Sequence, residues 1–518
     1  RDVAIVQTFG PSADLAFLRQ LNEAVTEASN IDPPKAKEYE AKARYLRNLY
    51  DHLAGNSPAP MPNTLAETAR VMRNLHVASK LGGAVITSIS DFATLHQAAI
   101  LNKLNPFKVA MNSALAWAPK SQRYARRMGL MIDTITGEAQ RYTGENLTAS
   151  DLSSKVASAV VRASGLNFVT DARRLGFSMT MMDAIGHLTQ QGKYADVTKL
   201  KEDDYRILGS KGITQETWDI WRAAKKDRWG GNHTLLTPDA IMAVETVPFE
   251  ARRKAVTDLL GVVREEQDIA VITPGAREQA QLRYGTTAGT LGGELARSAV
   301  LFKSFPWTLM QRQFERGMAM ESAGGRIGYF ATMFIGMTTL GVLASWIKDM
   351  LAGRDPRNMN ALSSDPRTRS IAIRNWVQAT ATGGGLGIYG DFLFGQATLN
   401  SQASLGSTIL GPNISTADDF LKLTAGNAVE AWQGEETNVG SEAVRFARGI
   451  TPGANLWYTK AITDRMIFNQ LQELTDPGAI DKMQAREARQ RGSSYYWEPD
   501  QMTPDRAPDI STGTNEPR

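Results

Sequence analysis

The 518-residue chain contains no cysteine, which excludes disulfides, thiolate zinc sites, iron–sulfur clusters and cysteine nucleophiles from it. The absence fixes no redox compartment beyond compatibility with oxidising surroundings. Histidine is scarce. The five are His52, His76, His96, His187 and His233, and no pair has the spacing of a zinc motif such as H-E-x-x-H. Each reads as a surface or core-edge histidine. Net charge is slight, +4 from 58 basic and 54 acidic residues, so bulk electrostatics permit nucleic acid or anionic lipid without arguing for either. Also missing are a βα rhythm, an internal repeat and a low-complexity tract. The chain opens at Arg1 with no charged-then-apolar leader, and is expected to be a processed product or a part of a longer polypeptide.

What is present is helical periodicity. Apolar residues recur with helical spacing over residues 13–29 behind Ser12, over 35–54 behind Pro33-Pro34, and from Asn63-Thr64 to Leu81. Residues 84–101 read as buried helix, and Asn105-Pro106 as a turn before 107–117. Further helices are expected at 122–142, 151–162, 167–191 and 214–226, the last with Trp218 and Trp221 on one face. Thr237-Pro238-Asp239 opens another. Residues 252–268 follow, then a long helix over 291–320 interrupted at Pro306. Residues 371–382 and 483–491 are also helical, the latter ended by Gly492. Short β elements are expected near residues 268–273 or within the last sixty.

The expected class is all-α: an extended multi-helix assembly with one membrane-length apolar helix and an extended C-terminal tail held by Tyr495, Tyr496 and Trp497. The expected division is an N-terminal helical hairpin (1–56), a helical domain (63–235) and a helical domain with a long helix (236–326). The membrane-length helix (327–347), a Gly-rich and loop-rich region (348–440) and a C-terminal helix with extended tail (441–518) complete it.

Residues 327–347, IGYFATMFIGMTTLGVLASWI, carry no charge over 21 positions. A helix of that length spans roughly 30 Å, the thickness of a bilayer's hydrocarbon core. Tyr329 and Trp346 stand near its ends, where interfacial aromatics belong. Gly324 and Gly328 make a G-x-x-x-G step, and Gly336 and Gly341 keep the helix slim for close packing. Two readings stay open: a helix that enters a membrane, or one buried all round inside a large helical assembly.

GGGLGIYGD (383–391) spells a G-x-G-x-x-G in Gly385, Gly387 and Gly390. A dinucleotide site needs a strand before those glycines and a helix after them. A helix precedes them instead, so they read as a close-packed or bending element, and no cofactor is expected. Glu321-Ser322 matches the acid–serine pair of lytic transglycosylases, but that family's other elements are missing. No G-x-S-x-G, P-loop or carboxylate-pair constellation stands out, so no catalytic residue and no metal ligand is assigned. Lys120, Arg123, Arg126 and Arg127 around Tyr124, and the later run 486–491, read first as solvated helix faces and second as contacts to a nucleic-acid backbone.

Six phrases occur in a shared order: KLGGAVITSISD (80–91), LFKSFPWTLMQRQFERG (301–317), AGRDPR (352–357), GGGLGIYGDFLFG (383–395), RGITPGANLWYTKAITD (448–464) and YWEPDQMTPDRAPD (496–509). With them the chain resembles the C-terminal region of the large internal virion, or ejection, proteins of short-tailed bacteriophages. The resemblance implies a non-enzymatic segment stored inside the capsid and released into the host envelope, periplasm and inner membrane, to help form a conduit for genome delivery. Any lytic transglycosylase activity would lie outside this segment. The implied partners are other internal virion proteins and the portal, further copies of the chain in a homo-oligomer, the host inner membrane at infection, and phage DNA without sequence specificity. The alternative is a structural portal or internal-core protein that never enters a membrane.

Overall fold

The computed structural model describes residues 12–54, 64–118, 152–202, 205–228, 234–283, 290–383 and 439–513, with a few isolated positions besides. The protein is all-α. Helices α1 (Ala13–Ile31) and α2 (Ala36–Ala54) form the expected hairpin, turned by Asp32 and Pro33. Phe17 stacks on Tyr50 at 4.1 Å, and the Tyr50 hydroxyl donates to Asp14 at 2.7 Å.

Next come α3 (Thr64–Lys80), α4 (Asp91–Leu101) and α5 (Pro106–Ala114), the last started by Asn105, whose side chain accepts from the Phe107 N–H at 2.9 Å. Short helical turns join α3 to α4, making Ala66–Leu101 a second run long and apolar enough to cross a bilayer. With 56% of its most apolar window buried, it is a core element. A Cβ at Gly82, inside that run, would stand 2.5 Å from the Leu456 backbone nitrogen, so only glycine admits the C-terminal segment there.

The main core forms around α7 (Leu166–Gln190), which follows α6 (Leu152–Ala163) and is buried over most of its surface. Phe177, Met179, Met182 and Ile185 meet Trp218 and Trp221 of α8 (Gln215–Ala223). Both indoles are fully buried and both N–H groups are satisfied, by Tyr194 O at 2.7 Å and Ala255 O at 2.9 Å. Strands β1 (Asp227–Arg228) and β2 (Thr234–Leu235) pair antiparallel and close over α7. The strand expected at residues 268–273 is not there: α10 (Phe249–Ala270), which follows α9 (Pro238–Met242), runs into that stretch, and Ile272 plugs a small core as part of a turn. A bridge between Arg354 and Tyr495 does place β-type pairing in the last sixty residues.

The long helix expected over 291–320 is two helices, α12 (Leu291–Val300) and α13 (Ser304–Met318), preceded by α11 (Ala276–Arg283). The break is at Phe302, whose φ of 68° is left-handed, and not at Pro306. Pro306 sits in the first turn of α13, where its missing N–H has no intrahelical partner to lose. Beyond lie α14 (Ala323–Leu351), α15 (Pro366–Thr382) and α16 (Val439–Ile450). A helical run over residues 460–475 ends in α17 (Asn469–Thr475), followed by α18 (Ala479–Arg491). Gly492, at φ 63°, stops α18 as expected.

Candidate membrane-facing site

Helix α14 starts at Ser322, whose hydroxyl accepts the Gly325 N–H at 3.0 Å, and continues for 29 residues. Only 22% of its most apolar window is buried, against 56% in the 66–101 run. Tyr329, Met337, Gly341, Ala344, Ser345 and Asp349 form its buried edge, at steps of roughly one turn. Met333, Met337 and Leu340 meet Ala93 of α4, Ile272 and Leu309 of α13 in a small apolar cluster. The rest of the helix is largely open, with Ile327, Phe334, Ile335 and Leu343 all exposed; Ile335 is 64% exposed. Neighbouring helices add exposed Phe314 and Met318 from α13 and Ile373 and Trp376 from α15. The described residues do not bury this helix all round, which is compatible with both sequence readings, a span or a helix covered inside a larger assembly.

The four glycines divide by face. A Cβ at Gly341 would overlap the Ala379 carbonyl oxygen of α15, and one at Gly383 would overlap the Met337 carbonyl oxygen of α14. The two backbones thus touch through reciprocal glycines, and Gly383 is the first letter of GGGLGIYGD. The other eight residues of that stretch lie outside the described residues. Gly336 faces Ala93, whose Cβ would be 3.3 Å from an added Cβ. Gly324 and Gly328 have nothing within 4 Å, so their G-x-x-x-G step packs against nothing among the described residues.

Both aromatics are engaged within the chain. Tyr329 is buried and its hydroxyl donates to Gln313 of α13. Trp346 donates to Arg357 O at 3.2 Å, and its ring lies 2.7 Å from where a Cβ on Gly513 would be. Tyr329 is thus held by α13, and Trp346 by the chain that follows α14 and by the C-terminal tail.

Beyond the apolar stretch is a buried ionic collar. Asp349 is 0% exposed and accepts two bonds from Arg357, at 2.7 and 3.0 Å, and one from Arg354 at 3.2 Å. Arg491 of α18 is 3.7 Å away. Glu487 takes the other side of Arg354 at 3.1 Å and of Arg491 at 3.2 Å. A negative residue at a helix C-terminus opposes the macrodipole, and these guanidinium groups offset that cost.

The tail then locks over the collar. Asp355, also fully buried, accepts from Ser494 at 2.7 Å, from the Asp509 N–H at 2.8 Å and from Arg506 at 2.8 Å. Burial alone would raise the Asp355 pKa, but the Arg506, Asp509 and Ser494 hydrogen bonds outweigh it and hold it below its usual 3.8. The Tyr496 hydroxyl donates to Met350 O at 2.6 Å, and Arg465 stacks on Trp497 at 4.2 Å. The tail is thus held by its aromatics, as expected, and equally by ion pairs that local sequence did not announce.

Other candidates fall elsewhere. Lys120, Arg123, Arg126 and Arg127 lie outside the described residues. Glu321 is exposed and pairs with Arg206, while Ser322 is the α14 cap. A cleft of about 930 Å³ between α10 and α13 is lined by charges that answer one another: Arg316 with Glu266 at 2.7 Å, Lys211 with Glu265 at 2.7 Å and Arg312 with Glu278 at 3.2 Å. Among the described residues no three His, Asp or Glu side chains group as metal ligands would. The collar was missed because half of it comes from α18, Glu487 lying 133 positions beyond Arg354. The only local hint was the charge-dense AGRDPR directly after the apolar run. No family model matches the chain, and neither a curated protein nor a solved structure matches it.

Proposed function

We propose that this chain is a segment of a phage internal virion, or ejection, protein that is released into the host envelope and helps form a conduit for genome delivery, with α14 entering the inner membrane. The observation that carries the reading is the set of exposed apolar side chains, Ile327, Phe334, Ile335 and Leu343, along a 29-residue helix of which little is buried. Water does not favour that arrangement, and a bilayer or the apolar surface of neighbouring copies does. The ordered phrases quoted above carry the phage assignment. Within the virion interior the open side is covered by other internal virion proteins, the portal or further copies. At infection it meets lipid, and the collar stays at the headgroup level, because its charges are costly in hydrocarbon. No residue is assigned a catalytic role.

The alternative reading, a portal or internal-core protein that never leaves the particle, predicts that the same side is always covered by protein. Ile335→Arg separates the two. Ile335 is exposed, so the change leaves the packing of the chain intact, whereas an arginine near the centre of a span costs roughly 2.5–3.5 kcal/mol on insertion scales. The wild-type chain is expected to become resistant to alkaline extraction from vesicles and the variant to be extracted, with particles carrying the variant assembling normally but failing after adsorption. Normal genome delivery by such particles would favour the structural protein.

A further inference from the structure

The helical run that starts at Lys460–Thr463, passes through a π-helical turn at Asp464–Phe468 and ends in α17 is inside out. Its buried residues are Ala461, Asp464, Arg465, Phe468, Asn469 and Gln472, four of them polar. Each of the four has a partner: Arg448 reaches Asp464 at 2.6 Å, Arg465 donates to Glu498 O at 2.9 Å, Asn469 donates to Pro499 O at 2.9 Å, and Gln472 donates to Ser441. The exposed face is the apolar one. Tyr458, Ile462, Met466, Ile467, Leu471 and Leu474 recur about once per turn and are all open to solvent. The extra residue of the π turn puts two of them, Met466 and Ile467, side by side. A surface helix of a water-soluble domain turns its apolar stripe inward and its polar face outward, so this one is built for an apolar neighbour.

Two further observations say which neighbour. Helix α18 packs beside α17 and exposes Lys482, Arg486 and Arg489, spaced four and three residues apart on one side. Arg465 also reaches Ala352 O, at 3.4 Å, so the run lies against the end of α14, next to the ionic collar. An apolar stripe with cations alongside, at the point where a transmembrane helix would emerge, is the arrangement of a helix lying flat in a bilayer surface.

We propose that residues 458–474 form an interfacial anchor that lies on an anionic phospholipid bilayer. Its placement next to the emerging end of α14 rests on the reading of α14 as a span; its lipid affinity does not. The test is flotation of the full chain with vesicles of phosphatidylcholine, with and without phosphatidylglycerol. The variant Ile462→Ser/Met466→Ser/Leu474→Ser removes side chains that are about half or more open to solvent, so its circular dichroism should match wild type and its melting temperature should stay close to it. Its partitioning should fall about tenfold or more. Arg486→Gln/Arg489→Gln should abolish the preference for phosphatidylglycerol while keeping weak binding. Ile335→Arg should partition normally yet be extracted by alkali, so a failure of the span and a failure of the anchor look different. Wild-type partitioning by the triple variant overturns the proposal. So does a triple variant that breaks up an oligomer in solution while binding vesicles unchanged, which would assign the stripe to a second copy of the chain.

Discussion

At the scale of single residues, glycines that look alike in the sequence have opposite roles. Gly341 admits the Ala379 carbonyl, so Gly341→Ala must push α14 and α15 apart, at a cost of roughly 1–3 kcal/mol. Gly328 has open space, so Gly328→Ala should stabilise the helix by about 0.5–1 kcal/mol through propensity alone. Urea denaturation of both variants checks the pair, and equal effects would place the buried edge of α14 elsewhere. Asp349→Ala is expected to cost roughly 3–5 kcal/mol, because Arg357 would keep its burial and lose its counter-charge, while Arg354 would be left with Glu487 alone. The sequence marked Gly324, Gly328, Gly336 and Gly341 equally as slim positions. Which of them packs depends on how α14 is rotated against α15 and α4, and no local pattern encodes that rotation.

At the scale of elements, helix starts were the most legible feature. Asn105-Pro106 and Thr237-Pro238 open helices as read, because a side-chain acceptor and a fixed φ act within one turn. The split of residues 291–320 was misplaced because a proline is conspicuous and a left-handed Phe302 is not. The tail lock was not legible at all, since Asp355 and Arg506 meet across 151 positions. That lock has a pH signature. The Asp355 pKa is lowered on folding, so its contribution is complete above the unfolded value of 3.8 and is lost as pH falls through the lower folded value. Protease protection of the tail should therefore be flat from pH 7 to about pH 5 and collapse below about pH 4. In Asp355→Asn the protection should be weaker at pH 7, with this acid step reduced.

At the scale of the whole molecule, the all-α class and the membrane-length segment could be read from periodicity and from 21 uncharged positions in a row. Residues 84–101, the later part of the second apolar run Ala66–Leu101, read as buried helix, and the burial of that run in the structure agrees. The contrast between the two runs predicts the pattern of apolar photolabelling in vesicles. Peptides containing Phe334 and Ile335 should be marked and those from residues 84–101 should not; the reverse pattern would make the earlier run the span. The inside-out helix at 460–475 had a readable spacing, but only the structure tells which side is covered. The tail lock also sets an order of events during synthesis. Arg506 is made 151 residues after the aspartate it holds, which at 5–20 residues per second leaves the end of α14 without its clasp for roughly eight to thirty seconds. For that interval the clasp on a nascent chain is open, so the speed of translation, and not only the finished fold, sets how long the end of α14 stays accessible to any membrane or chaperone nearby.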